Sequence, residues 1–319
     1  MSDYILEFET PLKEIEDKIS SLKSTGIKTG MDVYEGIAQL EKELEEQKRN
    51  IYNNLSRWQR VQLARHPKRP YSLDFIKRIT TFWYELHGDR YFGDDPSMVC
   101  GIGIIDNIKF MIIGQEKGRG TKEKVYRNFG MARPEGYRKA LRLMKLAEKY
   151  NIPVLTLIDT PGAYPGLGAE ERGQAQAIAN NLLEMSRLKV PIINVVIGEG
   201  ASGGALGIGV GDVMLCFENT WYSVISPEGC ATILFRDSSR ASEAADSMKV
   251  TALDLKELGM ADIIMNEPIG GTHQDYNEAA FTLKSQIINS ISNLEKLSLE
   301  KLIEKRIKKY KNMGKWING

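Results

Sequence analysis

Glycine is concentrated in one short stretch, GEGASGGALGIGVGD at residues 198–212, which follows the apolar run VPIINVVI. This stretch matches two short motifs at once. Gly198-x-Gly200-x-x-Gly203 has the spacing of a dinucleotide-binding loop, in which backbone amides contact a pyrophosphate. The G-x-S-x-G spacing around Ser202 is that of a nucleophile elbow, in which a serine hydroxyl attacks a carbonyl carbon. The stretch therefore predicts a site at the end of a buried strand and leaves its chemistry open.

The dinucleotide interpretation fits the local context only in part. The motif follows a predicted strand and precedes a predicted helix, but that helix, GGALGIGVGD, is short and rich in glycine. Dinucleotide-binding loops normally stand in the first strand-helix turn of their domain, and an acidic residue follows the next strand. Here at least three strands are predicted earlier, and Glu218 is the acidic residue. A lone motif of this kind is weak support, so dinucleotide binding is kept as an alternative.

The nucleophile interpretation makes Ser202 the attacking group and requires a base and an acid. The chain has three histidines, and the order serine, acid, histidine is available if His273 is the base. The acid would be one of three aspartates, Asp212, Asp237 or Asp262. Ser202 is also explained as a small residue that caps or opens a helix, and His273 as part of a polar loop. A serine hydrolase is therefore the alternative function.

A third interpretation uses no reactive side chain. Consecutive backbone N–H groups of Gly203 and Gly204, at the start of a helix, would point at a carbonyl oxygen. When negative charge develops on that oxygen, a preorganised donor stabilises it by about 3 kcal/mol. Glycine is required because a Cβ would crowd the substrate. Such an oxyanion hole explains the density of glycine better than a serine nucleophile does.

The loops must be positioned by the elements around them. Apolar runs rich in β-branched residues predict strands at SMVCGIGII, NIKFMIIGQEK, IPVLTLID, PIINVVIGEG and DVMLCFE, and helical patterns at 134–150 and 169–189 separate several of them. This order predicts an α/β fold with a largely parallel sheet covered by helices. Ligands bind beyond the carboxyl ends of such strands. Gly162 and Gly166, in DTPGAYPGLGAEERG, and Gly200 are therefore expected to line one site.

Helices are also predicted outside this α/β region. Residues 11–65 carry apolar residues at helical spacing, interrupted at STGIKTG, and HPKRPYS at 66–72 has the prolines of a linker. FIKRITTFWYEL predicts a further helix, and residues 275–312 are helical again. We therefore expect an N-terminal helical region, 1–70, and a second domain, 71–319.

Basic residues are concentrated in EKGRGTKEKVYRNFGMARPEGYRK. Arg119 and Arg133 of this segment would contact an anionic ligand, because guanidinium groups bind phosphate oxygens well. A solvated charged loop explains the same residues. HGDRYFGDDP, at residues 87–96, contains a histidine and three aspartates, but their spacing matches no metal-ligand pattern, and a turn is the better explanation.

Composition limits the possible classes of protein. The 319 residues are 42% hydrophobic and 27% charged, as in soluble globular proteins, and a formal net charge of +1 gives no support for general nucleic-acid or membrane binding. Cys100, Cys216 and Cys230 form no C-x-x-C pair, so no metal is expected, and their sparse, odd number fits a reducing compartment. The N-terminus lacks the features of a signal peptide, and no apolar run is long enough to span a bilayer. A cytoplasmic protein is expected.

A family resemblance is carried by three strings, LIDTPGAYPGLGAEERGQAQAIA, VIGEGASGGALGIGVGD and YSVISPEGCATILFRD. Together they resemble the carboxyltransferase alpha subunit of bacterial acetyl-coenzyme A carboxylase. FETPLKEIEDKI and HGDRYFGDDP are similar to the same family, so the resemblance covers nearly the whole chain, although Ala201 stands where the family often has glycine. It implies a crotonase-like (ClpP/crotonase) ββα superhelix with an N-terminal helical extension and C-terminal helices.

The same resemblance implies an activity and a set of partners. A carboxyl group would pass from carboxybiotin, held on a separate biotin carboxyl carrier protein, to acetyl-CoA, and the product would be malonyl-CoA for fatty acid synthesis. The active site would form with a homologous beta subunit in an alpha2beta2 assembly, which works with biotin carboxylase. The beta subunit would carry a zinc ribbon, and this chain would hold no metal and no covalently bound cofactor.

Roles for individual residues follow from the same resemblance. Gly203 and Gly204 would form an oxyanion hole for the ureido oxygen of biotin, and Ser202 would lie beside them. The biotin anion would remove a proton from the acetyl methyl group, so no protein base is required. In ISPEG, Glu228 would position the ligand and Pro227 would stiffen the loop. An acidic residue that stabilises a helix N-terminus is the other explanation of Glu228.

Overall fold

Within residues 4–314, which the computed structural model describes, eight strands form one mixed sheet. In chain order they are β1 (Phe82–Glu85), β2 (Met98–Ile105), β3 (Ile108–Gln115), β4 (Val154–Thr160), β5 (Ile192–Ala201), β6 (Val213–Phe217), β7 (Trp221–Ser223) and β8 (Ile263–Met265). β2 is antiparallel to both of its neighbours, β1 and β3, and β3, β4, β5, β6 and β8 follow as parallel neighbours. The short strand β7 pairs with the far end of β5. The sheet is therefore parallel through its middle, as the sequence pattern predicts.

Helices precede, cover and follow this sheet. They are α1 (Thr10–Thr29), α2 (Tyr34–Asn53), α3 (Arg57–Ala64), α4 (Ser72–Ile79), α5 (Gly120–Tyr126), α6 (Pro134–Lys149), α7 (Leu167–Glu171), α8 (Gln174–Arg187), α9 (Ser202–Leu206), α10 (Pro227–Phe235), α11 (Ala241–Met248), α12 (Ala252–Glu257), α13 (Tyr276–Leu294) and α14 (Leu299–Lys311). α6, α8 and α12 pack on one face of the sheet, and α4 and α13 pack on the other. No helix of residues 4–314 is long and apolar enough to cross a membrane.

Both faces of the central strands are buried, and β4 shows how. Val154 and Ile158 point into the apolar cluster beneath α6 and α8, while Leu155 and Leu157 point into the cluster beneath α4 and α13. Alternation of this kind follows from the pleat of a strand. Burial of each such side chain stabilises the fold by about 1.5–3 kcal/mol. The strand therefore carries apolar side chains on both faces, which is why its sequence predicts it well.

Two predicted helices differ from the structure. FIKRITTFWYEL is helical only to Ile79, and Phe82–Glu85 forms β1 against β2, because its three aromatic residues favour a strand at the sheet edge. The predicted helix at 169–189 is divided into α7 and α8 at Gly173, whose φ of 81° is left-handed. Both differences arise where local turn or pairing geometry overrides helical spacing.

The segment at 66–72 connects the N-terminal helices to the sheet and is buried except around Pro67 and Lys68. His66 is 2% exposed and Arg69 is 1% exposed. The guanidinium of Arg69 pairs with Glu267 at 2.6 Å and donates to the carbonyl of Ile197 at 2.7 Å. These contacts join the segment to the sheet, and the domain boundary after residue 70 stays a prediction.

Candidate active site

The two glycine-rich loops meet because β4 and β5 are parallel neighbours. Ile158 pairs with Val196 and Thr160 with Gly200, so β5 carries a bulge between these pairs. Asp159 fills the bulge, since its Oδ1 accepts a hydrogen bond from the amide of Glu199 at 3.1 Å. This bulge turns the end of β5 toward the loop that follows β4, as expected for a site beyond the carboxyl ends of strands.

The amides of Gly203 and Gly204 lie in the first turn of α9, which directly follows β5. The first N–H groups of a helix have no acceptor within it. The carbonyl of Gly203 accepts a hydrogen bond from Gly207 N at 2.9 Å. Because a trans peptide directs its C=O and N–H in opposite directions, the Gly204 N–H points away from the helix. The N–H groups of Gly203 and Gly204 therefore have no acceptor within α9, although Gly204 itself is buried.

Gly203 and Gly204 are glycines for different physical reasons. A Cβ on Gly204 would lie 2.4 Å from Ala163 N and 2.4 Å from Gly162 C, so Gly204 allows the two loops to pack backbone against backbone. A Cβ on Gly203 would meet only Ile178, at an ordinary 3.5 Å. Packing within the chain therefore requires glycine at 204 but not at 203. The remaining explanation of Gly203 is that a ligand occupies the space where a Cβ would lie.

The catalytic triad considered for Ser202 is not assembled, and that interpretation is wrong. Ser202 is exposed, with a left-handed φ of 59°, and its hydroxyl makes no hydrogen bond within residues 4–314. His273 stacks instead on His66, with ring centres 3.8 Å apart. Each of the candidate acids has another partner: Asp212 pairs with Arg306, Asp262 accepts from Met214 N, and Asp237 accepts from Ser239 N.

The dinucleotide interpretation also fails on geometry. α9 has five residues, too few for the helix that follows a dinucleotide-binding loop. The carboxylate of Glu218 accepts a hydrogen bond from the amide of Glu267 at 2.7 Å. It therefore binds the backbone after β8 and not a ribose.

The other predicted glycines shape the same loops. Gly162 has φ of 147°, in a range that side chains disfavour, and its amide donates to Thr160 Oγ1 at 3.0 Å. A Cβ on Gly166 would lie 2.5 Å from the ring of Tyr164, and one on Gly200 would lie 2.5 Å from the ring of Tyr222. At Gly166 and Gly200 the absence of a Cβ allows a tyrosine ring of the same chain to pack against the backbone. Direct contact between these glycines and a ligand stays a prediction.

The two predicted anion-binding arginines are used differently. The guanidinium of Arg133 lies 5.0 Å from the ring centre of Tyr164, and within residues 4–314 it makes no hydrogen bond or ion pair. Arg119 pairs with Asp74 at 2.5 Å, donates to the carbonyl of Pro67 and stacks over Tyr71. Arg133 therefore leaves a free cation beside the first glycine loop, whereas Arg119 ties the loop after β3 to α4.

A buried ionic cluster lies beneath both loops, and sequence reasoning missed it. Lys117 Nζ is 2.7 Å from carboxylate oxygens of both Asp159 and Glu199. Arg65 joins the same Glu199 at 2.7 Å and Glu228 at 2.6 Å. Although burial opposes ionisation, these neighbours raise the pKa of Lys117 and lower the pKa of Glu199. The cluster thus connects the ends of β3, β4 and β5 to α3 and α10.

The start of α10 is held against this cluster. Pro227 occupies the first helical position and is buried, and Ser226 caps the helix by accepting from Gly229 N at 3.1 Å. Glu228 lies in the first turn, where its charge favours the helix, and it also pairs with Arg65. Beside the cluster is a cleft of about 240 Å³, lined by Ala64, Arg65, Pro67, Tyr71, Lys117, Lys124, Phe129, Pro161 and Glu199.

The fold of the chain can be compared with the folds of solved structures. The structure of transcarboxylase 12S with bound methylmalonyl-coenzyme A superimposes on it with a TM-score of 0.54 and 20% identity, over 66% of this chain and 40% of that chain. This likeness confirms the expected crotonase-like α/β fold with additional N-terminal and C-terminal helices.

The family follows from the sequence comparisons. The chain belongs to the acetyl co-enzyme A carboxylase carboxyltransferase-like family, whose model matches residues 5–314. Acetyl-coenzyme A carboxylase carboxyl transferase subunit alpha of Flavobacterium johnsoniae is 54% identical over 98% of this chain and 98% of its own length. The protein of the same description from Staphylococcus aureus is 52% identical over 98% of this chain and all of its own. The resemblance seen in the three sequence strings is confirmed, and a serine hydrolase is not supported.

Proposed function

We propose that this chain is the alpha subunit of the carboxyltransferase component of acetyl-CoA carboxylase. With a beta subunit it transfers a carboxyl group from carboxybiotin to acetyl-CoA and forms malonyl-CoA. The observation that carries the proposal is the pair Gly203 and Gly204 in the first turn of α9, at the junction of two glycine loops. Full-length similarity to named alpha subunits supports the same assignment.

The chemistry needs an anion-stabilising turn more than it needs a reactive side chain. Cleavage of the N–CO2 bond of carboxybiotin releases carbon dioxide and leaves negative charge on the ureido group. Backbone donors at Gly203 and Gly204 stabilise that charge where it develops. The biotin anion then takes a proton from the acetyl methyl group, and the resulting enolate carbon attacks carbon dioxide. The nearby cations Lys117 and Arg65 are already paired with carboxylates, so they serve structure rather than proton transfer.

Arg133 is the favoured contact for the phosphates of coenzyme A or for an acidic face of the carrier protein. Its guanidinium is unpaired within residues 4–314 and stands beside the first glycine loop. A guanidinium binds phosphate and carboxylate oxygens with fixed geometry. Gly162 and Gly166 lie in the loop that carries Tyr164, on which Arg133 stacks. A ligand bound by Arg133 would therefore lie next to this loop.

An exposed apolar surface beside the site supports a subunit partner. Val224 is 79% exposed, and Ile233 and Leu234 on α10 are 70% and 61% exposed. Apolar surface of this kind is typical of protein interfaces. A beta subunit that carries the zinc ribbon would cover it in an alpha2beta2 assembly, and the biotin carboxyl carrier protein and biotin carboxylase would complete the enzyme in the cytoplasm. No metal or covalent cofactor is proposed for this chain.

The experiment is reconstitution of the carboxyl transfer. The purified chain is combined with the beta subunit, carboxylated carrier protein and acetyl-CoA, and malonyl-CoA is measured. We expect product from the complex and none from either subunit alone. A folded complex that yields no malonyl-CoA would overturn the proposal.

A further inference from the structure

One buried side chain connects the two glycine loops directly. Gln115, the last residue of β3, is 0% exposed. Its Nε2 donates to the carbonyl oxygen of Gly204 at 2.8 Å, and its Oε1 accepts from the amide of Asp159 at 3.1 Å. The single amide group therefore holds Gly204 of α9 and Asp159 of β4 in one arrangement.

The carbonyl of Gly204 is held from two sides. The hydroxyl of Tyr137 on α6 lies 3.3 Å from the same oxygen. With this carbonyl fixed and that of Gly203 bonded to Gly207 N, the peptides on both sides of Gly204 have set orientations. The Gly204 N–H belongs to the 203–204 peptide, which the bond from Gly207 N within α9 orients, and Gln115 and Tyr137 hold the adjoining 204–205 peptide through its carbonyl.

We propose that Gln115 is a positioning residue for carboxyl transfer, which anchors Gly204 of α9 to β4 through the carbonyl of Gly204 and the amide of Asp159. The inference rests on the proposed function, since it assigns Gln115 to the geometry of the oxyanion hole. Donors contribute most when they are already aimed at the developing charge, and a displacement of about 1 Å can reduce a rate by about a hundredfold.

A glutamine suits this role because it offers a donor and an acceptor on one rigid group. Methionine has a similar length but neither function, and glutamate would direct a carboxylate at the carbonyl of Gly204. Asn194 on β5 provides a matched control. It is equally buried, and its Nδ2 donates to Thr156 Oγ1 at 2.8 Å and to the carbonyl of Ile208 at 3.0 Å, without a contact to either oxyanion glycine.

The experiment compares Gln115→Met, Gln115→Glu and Asn194→Leu in the complex with the beta subunit. Steady-state carboxyl transfer gives kcat and KM for acetyl-CoA, and urea unfolding reports the stability of each variant chain. We expect Gln115→Met to lower kcat by about ten- to a hundredfold with KM changed less than about threefold. Asn194→Leu should lose comparable stability and keep kcat within about twofold of wild type. If the methionine variant does not fold, the kcat of Gln115→Glu tests whether the side-chain amide of Gln115 is required for turnover.

The outcomes separate this inference from the proposed function. An active wild-type complex, in which both Gln115 variants keep the kcat of the Asn194→Leu control, would overturn the positioning role alone. An inactive wild-type complex would overturn the proposed function and the positioning role with it. A selective loss of kcat at Gln115 supports the inference, because a general loss of packing would act equally on the control.

Discussion

Gly204 packs against Gly162 with backbone on backbone, so that a Cβ on Gly204 would lie 2.4 Å from the carbonyl carbon of Gly162. This contact joins the loops that follow β4 and β5. Neither loop can move away from the other without separating the two main chains. The positions of the Gly203 and Gly204 amides are therefore a property of the packed core as well as of the glycine motif.

Replacement of Gly204 by alanine should destabilise the chain. The added methyl group overlaps backbone atoms of the neighbouring loop, which cannot rotate away as a side chain would. We expect the free energy of unfolding in urea to fall by about 1–3 kcal/mol. Gly36→Ala in α2 is the control, because its Cβ would meet nothing within 4 Å and should stabilise the helix by about 0.5–1 kcal/mol. Equal effects at the two positions would contradict the packing argument.

Removal of Lys117, the central cation of the ionic cluster, should destabilise the folded chain. Lys117→Met leaves the carboxylates of Asp159 and Glu199 buried without their shared partner. Breaking a buried pair from one side destabilises a protein by about 3–5 kcal/mol.

Lys145→Met is the control for the ionic cluster, because the Lys145–Glu184 pair is partly exposed, with 41% of the lysine side chain accessible. Its loss should change stability by less than about 1 kcal/mol. Denaturant unfolding of the two variants measures the difference, and similar midpoints would show that the cluster does not hold the strand ends together.

Glu116 should make stability depend on pH near neutrality. Burial raises the pKa of its carboxyl group from 4.5 to about 7, although the amides of Leu73 and Gly118 donate to it. The folded chain therefore holds this proton more tightly than the unfolded chain does. Its contribution is fully present below pH 4.5 and is lost as the pH rises through about 7.

The non-titrating variant Glu116→Gln isolates this contribution. The free energy of unfolding of the wild type, relative to the variant, should fall by about 2–3 kcal/mol between pH values of about 5 and about 8. Urea unfolding at several pH values in this range provides the measurement. Parallel profiles for the two proteins would mean that Glu116 titrates in the folded chain as it does in the unfolded chain.

The apolar surface of α10 should be required for assembly. Ile233→Lys places a charge on a side chain that is 70% exposed, so the isolated chain should keep its stability. If a beta subunit covers this surface, its dissociation constant should rise at least about tenfold, because an unpaired charge becomes buried. Phe281→Lys, on a side chain of α13 that is 72% exposed, is the control. Unchanged binding of the beta subunit by the Ile233 variant would place the interface elsewhere.

The sequence predicts the central strands because they are rich in apolar residues on both faces. β4 and β5 are buried on both faces, and their patterns hardly depend on any neighbour. β1 and β7 were not predicted, since the first is a four-residue edge strand and the second has three residues. Such short strands exist through their pairing with β2 and β5, which no local pattern reveals.

The site was predictable only where its chemistry lies in the backbone. Gly203 and Gly204 stand out because glycine density is visible in a single stretch of sequence. Their supports are not visible there: Gln115 lies 89 residues from Gly204, and Lys117 lies 82 residues from Glu199. Asp159 and Glu199, which are charged residues in mainly apolar strands, are the local signs of the buried cluster.

The kcat of Gly203→Ala in the reconstituted complex tests the central claim most directly. A Cβ at this position meets only Ile178 at 3.5 Å, so the variant should fold with wild-type stability. If the amides of Gly203 and Gly204 stabilise the biotin anion, the added methyl group displaces the ligand oxygen and kcat falls by about a hundredfold or more. Wild-type turnover by a folded Gly203→Ala complex would contradict the account.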